Sequence, residues 1–142
     1  MTMTKNYKII AKFISDMSSE TKNIETYLFV KDRISKYKLG IDISSKALKN
    51  KIIEVNTILK FEDKENLEKK SHFEIKFTSI VKIENDVKTK EDLEKILLCD
   101  VQKEIAPELE NSFLNLLHNS GFPGFEFEKK LDFQTLYNQR TN

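Results

Sequence analysis

Residues 72–83 read HFEIKFTSIVKI. Phe73, Ile75, Phe77, Ser79, Val81 and Ile83 fall on one side of an extended chain. His72, Glu74, Lys76, Thr78 and Lys82 fall on the other, with Ile80 as the one break in the pattern. Successive strand side chains point to opposite faces, so this alternation predicts a strand with one buried and one wet face. Three stretches upstream repeat it. Tyr7, Ile9, Ala11 and Phe13 alternate with Lys8, Ile10 and Lys12. Tyr37, Leu39, Ile41 and Ile43 alternate with Lys36, Lys38, Gly40 and Asp42, and Ile53, Val55, Thr57, Leu59 and Phe61 share one face of residues 52–61. Four half-wet strands argue for an antiparallel sheet. The polar stretches 46–51 and 62–70 read as the turn and loop that join the last three strands. No helical pattern is read between strands, so a parallel βαβ arrangement is not expected.

After the fourth strand the period changes. Leu93, Ile96, Leu97, Val101, Ile105, Leu109, Phe113, Leu116 and Leu117 recur mostly at spacings of three and four, the stripe of a long amphipathic helix over about 90–119. Thr89 and Asp92 supply an N-terminal cap and a first-turn acid. Pro107 lies inside the stripe and predicts a kink or a division there, because it lacks a backbone donor. Asn119-Ser120-Gly121, with Pro123 beyond, is a stop signal. After a loop, Asp132 caps a short helix over about 132–139 with Phe133, Leu136 and Tyr137 on one face. The expectation is a single α+β domain spanning 1–142, with strands over about 5–84 and helices segregated to one face. One helix is only about 10 Å wide, while four strands at about 4.8 Å spacing are wider. Apolar sheet surface is left over, and an oligomer is expected to cover it.

The composition narrows the function. Of 142 residues, 24 are Lys or Arg and 23 are Asp or Glu, a net charge of +1, which disfavours a nucleic-acid binder. The apolar runs are too short to span a bilayer. The start, MTMTKNYKII, has no apolar run with a cleavage site after it, so a cytoplasmic location is expected. Cys99 is the single cysteine and reads as a buried, inert thiol. His72 reads as a solvated sheet residue and His118 as a partner of the last-turn carbonyls. Two scattered histidines and one cysteine make no metal pattern, and the three glycines make no phosphate loop, so neither metal nor cofactor is expected. Glu62 and Asp63 read as a solvated turn. Without a nucleophile or acid–base constellation, no enzyme is expected. Aromatic and apolar residues instead gather in two connecting segments: 24–34 (IETYLFVKDRI) and 122–127 (FPGFEF). These either fold back as core plugs or line a groove that accepts extended peptide.

The sequence at this point resembles a known family. Gly121-Phe122-Pro123, followed by Asp132-Phe133-x-x-Leu136-Tyr137, is similar to the ending of the SecB protein-export chaperones. The long helix with Pro107, the segment 15–20 (SDMSSE), Phe29-Val30-Lys31-Asp32 and His72-Phe73-Glu74-Ile75 resemble the family in the same order. The resemblance covers about residues 5–138. It implies a homotetramer, a dimer of dimers with long helices between two eight-stranded sheets, whose assembly is sensitive at Phe73, Ile75 and Phe77. It implies ATP-independent holding of unfolded precursor proteins and their delivery to the SecA export motor. The implied peptide groove carries Tyr27, Phe29, Ile34, Phe122, Leu136 and Tyr137. The implied motor-docking surface carries Asp16, Glu20 and Glu74. Departures are the near-neutral charge, Arg33 in place of a groove tryptophan, His72 beside Glu74, Glu110 in place of a common arginine, and no acidic tail. They motivate the alternative of a SecB-like chaperone dedicated to one client, such as an antitoxin.

Overall fold

The computed structural model describes residues 6–65 and 67–127. The elements are β1 (Tyr7–Glu20), α1 (Ile24–Arg33), a 3-10 turn (Ile34–Lys36), β2 (Lys38–Ala47), β3 (Ile52–Glu62), β4 (His72–Ile83), α2 (Lys90–Lys95), a π-helical turn (Ile96–Asp100) and α3 (Val101–Asn119). The strands form one antiparallel sheet in the order β1-β4-β3-β2. The fold is the expected α+β arrangement. The short helix expected over about 132–139, with its Leu136 and Tyr137, lies outside the described residues.

The alternation read in β4 sets the register of the sheet. Phe73, Ile75 and Phe77 stand beside Phe61, Leu59 and Thr57 of β3, and these in turn beside Leu39, Ile41 and Ile43 of β2. Cross-strand partners share a face, so these residues form one inner face. Ile105, Leu109, Phe113 and Leu117 of α3 pack on it and are fully buried. Rings continue the contact: Phe61 lies 6.1 Å from Phe113 and 6.3 Å from Phe73, and Phe73 lies 5.8 Å from Phe122.

β1 differs from its reading. It is 14 residues long, and its register against β4 shifts between Ile9 and Ala11 and again between Ile14 and Asp16. Each bulge inserts a residue and flips the phase of the residues beyond it. Phe13 therefore stands opposite Thr78 on the outer face, while Ile14 and Met17 take inner positions opposite Phe77 and Ile75. α3 does not reach all of them: Ile14 and Met17 stay 41% and 51% exposed.

The segment 24–34, read as an irregular connection, is a helix ending in a 3-10 turn. The Asn23 side chain accepts from the Thr26 N–H, Glu25 lies in the first turn, and Lys31 and Arg33 close the last. Only Thr26 and Val30 of α1 are buried, whereas Ile24, Leu28 and Phe29 are exposed. Apolar residues on both sides of the helix concealed its period. This connection carries the chain between the two edge strands, β1 and β2.

Nor does Pro107 divide the long helix. α3 runs through it from Val101 to Asn119, and the irregularity sits upstream, where the Val101 N–H donates to the Ile96 carbonyl five residues back. Gln102, fully buried, anchors this wide turn. Its Nε2 donates to the Leu97 carbonyl (3.0 Å), and its Oε1 accepts from the Thr57 hydroxyl of β3 (2.8 Å). The replacement Gln102→Leu leaves both partners unsatisfied, an expected loss of about 1–3 kcal/mol. Adding Thr57→Val removes one orphan and should recover part of that loss, as measured by urea unfolding of the single and double variants.

Candidate functional site

α3 ends in a glycine-dependent turn. The Phe122 N–H donates to the Leu117 carbonyl and the Gly121 N–H to that of His118, the paired bonds that close a helix through a left-handed residue. Gly121 supplies that residue with φ +105°. The same turn receives α1: the Tyr27 hydroxyl donates to the Gly121 carbonyl at 2.6 Å. A Cβ at position 121 would sit 2.5 Å from the Tyr27 ring. Conformation and close approach therefore both require glycine here.

Beyond the turn, Phe122 is buried against Phe73 and Tyr27, while Phe125 and Phe127 pack on the core as partly buried residues. His118 fastens this segment, because its Nε2–H donates to the Phe125 carbonyl at 2.8 Å. That differs from the expected bond to a last-turn carbonyl; the imidazole reaches forward along the chain. Between α1 with its 3-10 turn on one side and residues 121–127 on the other lies a groove of about 820 Å³. Its walls include Tyr27, Ile34, Tyr37, Phe61, Phe122 and Phe125, with Lys31, Lys38 and Glu126 at its border. The aromatics of the second segment thus serve as core plugs and as groove lining.

The structure brings Tyr27, Ile34 and Phe122 together in this groove. Phe29 is not among its walls. It is 38% exposed, with the Arg33 guanidinium 5.9 Å from its ring centroid. Leu136 and Tyr137 lie outside the described residues.

Asp63 is not in a solvated turn; it is buried. Arg33 grips it through two bonds, Nε to Oδ2 at 2.8 Å and Nη2 to Oδ1 at 3.1 Å, and reaches Glu65 at 3.2 Å. Asp63 also accepts from the Glu65 N–H. The Arg33 bond holds the Asp63 carboxyl below its ordinary value of 3.8. Nearby, the Tyr37 hydroxyl accepts from the Ser71 N–H, and burial raises its pKa. These contacts bind the 3-10 turn side of the groove to the loop between β3 and β4. Arg33 and Asp63 are 30 positions apart, and no local pattern marks them as a pair.

A second surface is the outer face of the sheet. Its register places Glu20 beside His72, Ser18 beside Glu74 and Asp16 beside Lys76. Asp16, Glu20 and Glu74 therefore share one face. The acids are interleaved with bases: Glu74 lies 3.9 Å from Lys60 and 3.4 Å from His72 Nε2, and His72 Nδ1 lies 4.0 Å from Glu62. Phe73, Ile75 and Phe77 lie on the inner face of the sheet and are 0%, 0% and 3% exposed within a single chain. The edge strand β1 carries four exposed apolar residues, Ile10, Phe13, Ile14 and Met17.

The sequence profile of the preprotein translocase subunit SecB family matches residues 2–142. The chain belongs to the SecB family. A Pelagibacter ubique (strain HTCC1062) protein bearing the protein-export name SecB is 63% identical over 140 residues, covering 99% of this chain and all of that one. Among solved structures, the fold matches the Mycobacterium tuberculosis SecB-like chaperone Rv1957, in complex with a ChAD peptide from the HigA1 antitoxin. That match has a TM-score of 0.63 at 11% identity, covering 89% of this chain and 91% of the other. Family and relative make this a SecB-type protein-export chaperone. Among the described residues, no helix is long and apolar enough to cross a membrane, and no group of His, Cys, Asp or Glu could hold a metal ion.

The Arg33–Asp63 pair has a defined pH dependence. A carboxyl whose folded-state pKa is lowered stabilises the fold above its unfolded value and loses that contribution as pH falls through the folded value. Asp63→Asn should therefore lower the urea midpoint at neutral pH. The gap from the wild type should close as pH drops below the ordinary carboxylate value of 3.8, and a constant gap would assign the pair no such role.

Proposed function

We propose that this SecB-family chain is an ATP-independent holdase. In this reading it captures unfolded precursor proteins in the groove between α1 and residues 121–127, then delivers them to the SecA motor in the cytoplasm. The groove carries the proposal: an aromatic floor and walls with lysines at the border suit an extended, apolar segment without demanding one sequence. Leu136 and Tyr137 are proposed to complete the groove, and Phe29 to extend it. Neither ATP nor another cofactor is needed to hold a chain by such contacts.

The proposed assembly is a homotetramer, a dimer of dimers, of single SecB-like domains spanning 1–142. β1 is an edge strand carrying Ile10, Phe13, Ile14 and Met17, between 41% and 51% exposed. An exposed apolar edge favours pairing with another copy. Several grooves in one particle would sum weak contacts by effective concentration, raising avidity roughly 10²- to 10⁴-fold over one site. Phe73, Ile75 and Phe77 would then influence assembly through the shape of the sheet beneath it. The proposed dock for the motor is the outer face with Asp16, Glu20 and Glu74. The alternative, a chaperone dedicated to one client such as an antitoxin, draws on the bases interleaved among those acids.

Three variants separate groove from dock. Ile34→Asp removes an apolar wall and should weaken capture of a reduced, unfolded client about tenfold or more per groove. Phe29→Ala should cost less, and light scattering should still find four chains in both. Unchanged delay of client refolding by Ile34→Asp would place the groove elsewhere. Glu74→Lys should reduce SecA binding while sparing capture; equal loss of both would mean that the strand had lost its shape. Capture of several unrelated clients supports the general holdase, and capture of one alone supports the dedicated chaperone.

A further inference from the structure

The ends of β2 and β3 remote from the groove are joined by a turn, and residues 46–53 read KALKNKII, three lysines without an acid. Asn50 and Lys51 are both left-handed (φ 61°), and the Leu48 N–H donates to the Ile52 carbonyl at 2.7 Å. The tip is fastened to the body. Lys51 reaches the Asn85 side-chain oxygen, and its carbonyl accepts from the Ile83 N–H at 2.9 Å. The register adds Lys82 opposite Lys8 at the same end of the sheet and sets Lys46 opposite Glu54. Lys8, Lys46, Lys49, Lys51 and Lys82 are all exposed and crowd this end. The nearby acids are Glu54, which accepts from the Asn56 amide, and Glu84 and Asp86 after β4.

Leu48 stands within this cationic ring, 42% exposed, at the mouth of a cleft of about 360 Å³ bordered by Ile53, Ile83, Val87 and Leu93. A lone exposed leucine is ordinary. A leucine on a braced tip ringed by lysines presents two chemistries together. We propose that this end of the sheet docks peripherally on an anionic phospholipid bilayer. The lysines meet headgroup phosphates, and Leu48 enters the boundary of the acyl region. A nucleic acid or an acidic polypeptide would satisfy the lysines but give Leu48 no apolar boundary. The surface is separate from the groove, and the proposal does not depend on client capture.

The chain has no tryptophan, so Leu48→Trp creates a single reporter. It is to be mixed with vesicles of phosphatidylglycerol and phosphatidylcholine, and with vesicles of phosphatidylcholine alone. The expected result is sedimentation and a blue-shifted emission with the anionic vesicles only, reversed by about 0.5 M NaCl, where screening is nearly complete. In the wild-type background, Lys49→Glu with Lys82→Glu should lower partitioning by at least about 25-fold, about fivefold for each lysine lost, with the added glutamates repelled further by the anionic surface. Circular dichroism should confirm that this variant is folded; if it is not, the emission and salt measurements still decide. Absence of binding to anionic vesicles, binding without an emission shift, or equal binding by a folded charge-reversed variant would each overturn the proposal. So would binding to soluble polyglutamate that leaves the vesicles unbound.

Discussion

The inner face of the sheet has to be kept from water by one helix and the segment after it. α3 lies across that face with Ile105, Leu109, Phe113 and Leu117 fully buried, and Phe61, Phe73, Phe113 and Phe122 continue the contact into the loop beyond. Phe122 can take its place only if the chain reverses sharply at Gly121. The reversal brings the Gly121 carbonyl to Tyr27 and so fixes where α1 sits. The groove between them is a by-product of covering the core, and its walls are residues whose other sides are already held in place.

Much of this was legible in the sequence because it rests on periodicity. The alternation of β4 specified its inner and outer faces, the stripe from Leu93 to Leu117 specified the helix, and Asn119-Ser120-Gly121 marked its end. The features that escaped are those in which one residue changes the phase or finds a distant partner. The first bulge moved Phe13 outward and Ile14 inward, the second restored the original phase at Met17, and alternation across a bulge cannot be read without the partner strand. α1 escaped because apolar residues occupy both of its sides. Gln102 and Asp63 are polar residues whose burial depends on Thr57 and Arg33, and composition sees only their polarity. The family resemblance supplied candidates for the groove; coordinates separated Tyr27, Ile34 and Phe122 in its walls from Phe29 outside them.

Electrostatics divide along the same lines. Arg33 and Asp63 form a sheltered, bidentate pair whose geometry braces the groove, the arrangement in which an ion pair has the most structural effect. On the outer face Glu74, Lys60 and His72 are half-wet and mutually screened, so their contribution is to the pattern offered to a partner more than to stability. The near-neutral net charge therefore conceals an outer face on which acids alternate with bases and a far end of the sheet where exposed lysines outnumber the acids.

The hydrogen bond from Tyr27 to Gly121 spans 94 positions of sequence. During synthesis, α1 leaves the ribosome long before the residue that anchors it exists. The groove's second wall, residues 121–127, cannot form before the end of α3 has emerged. A nascent copy thus carries one wall of the groove without the other until synthesis has passed Gly121.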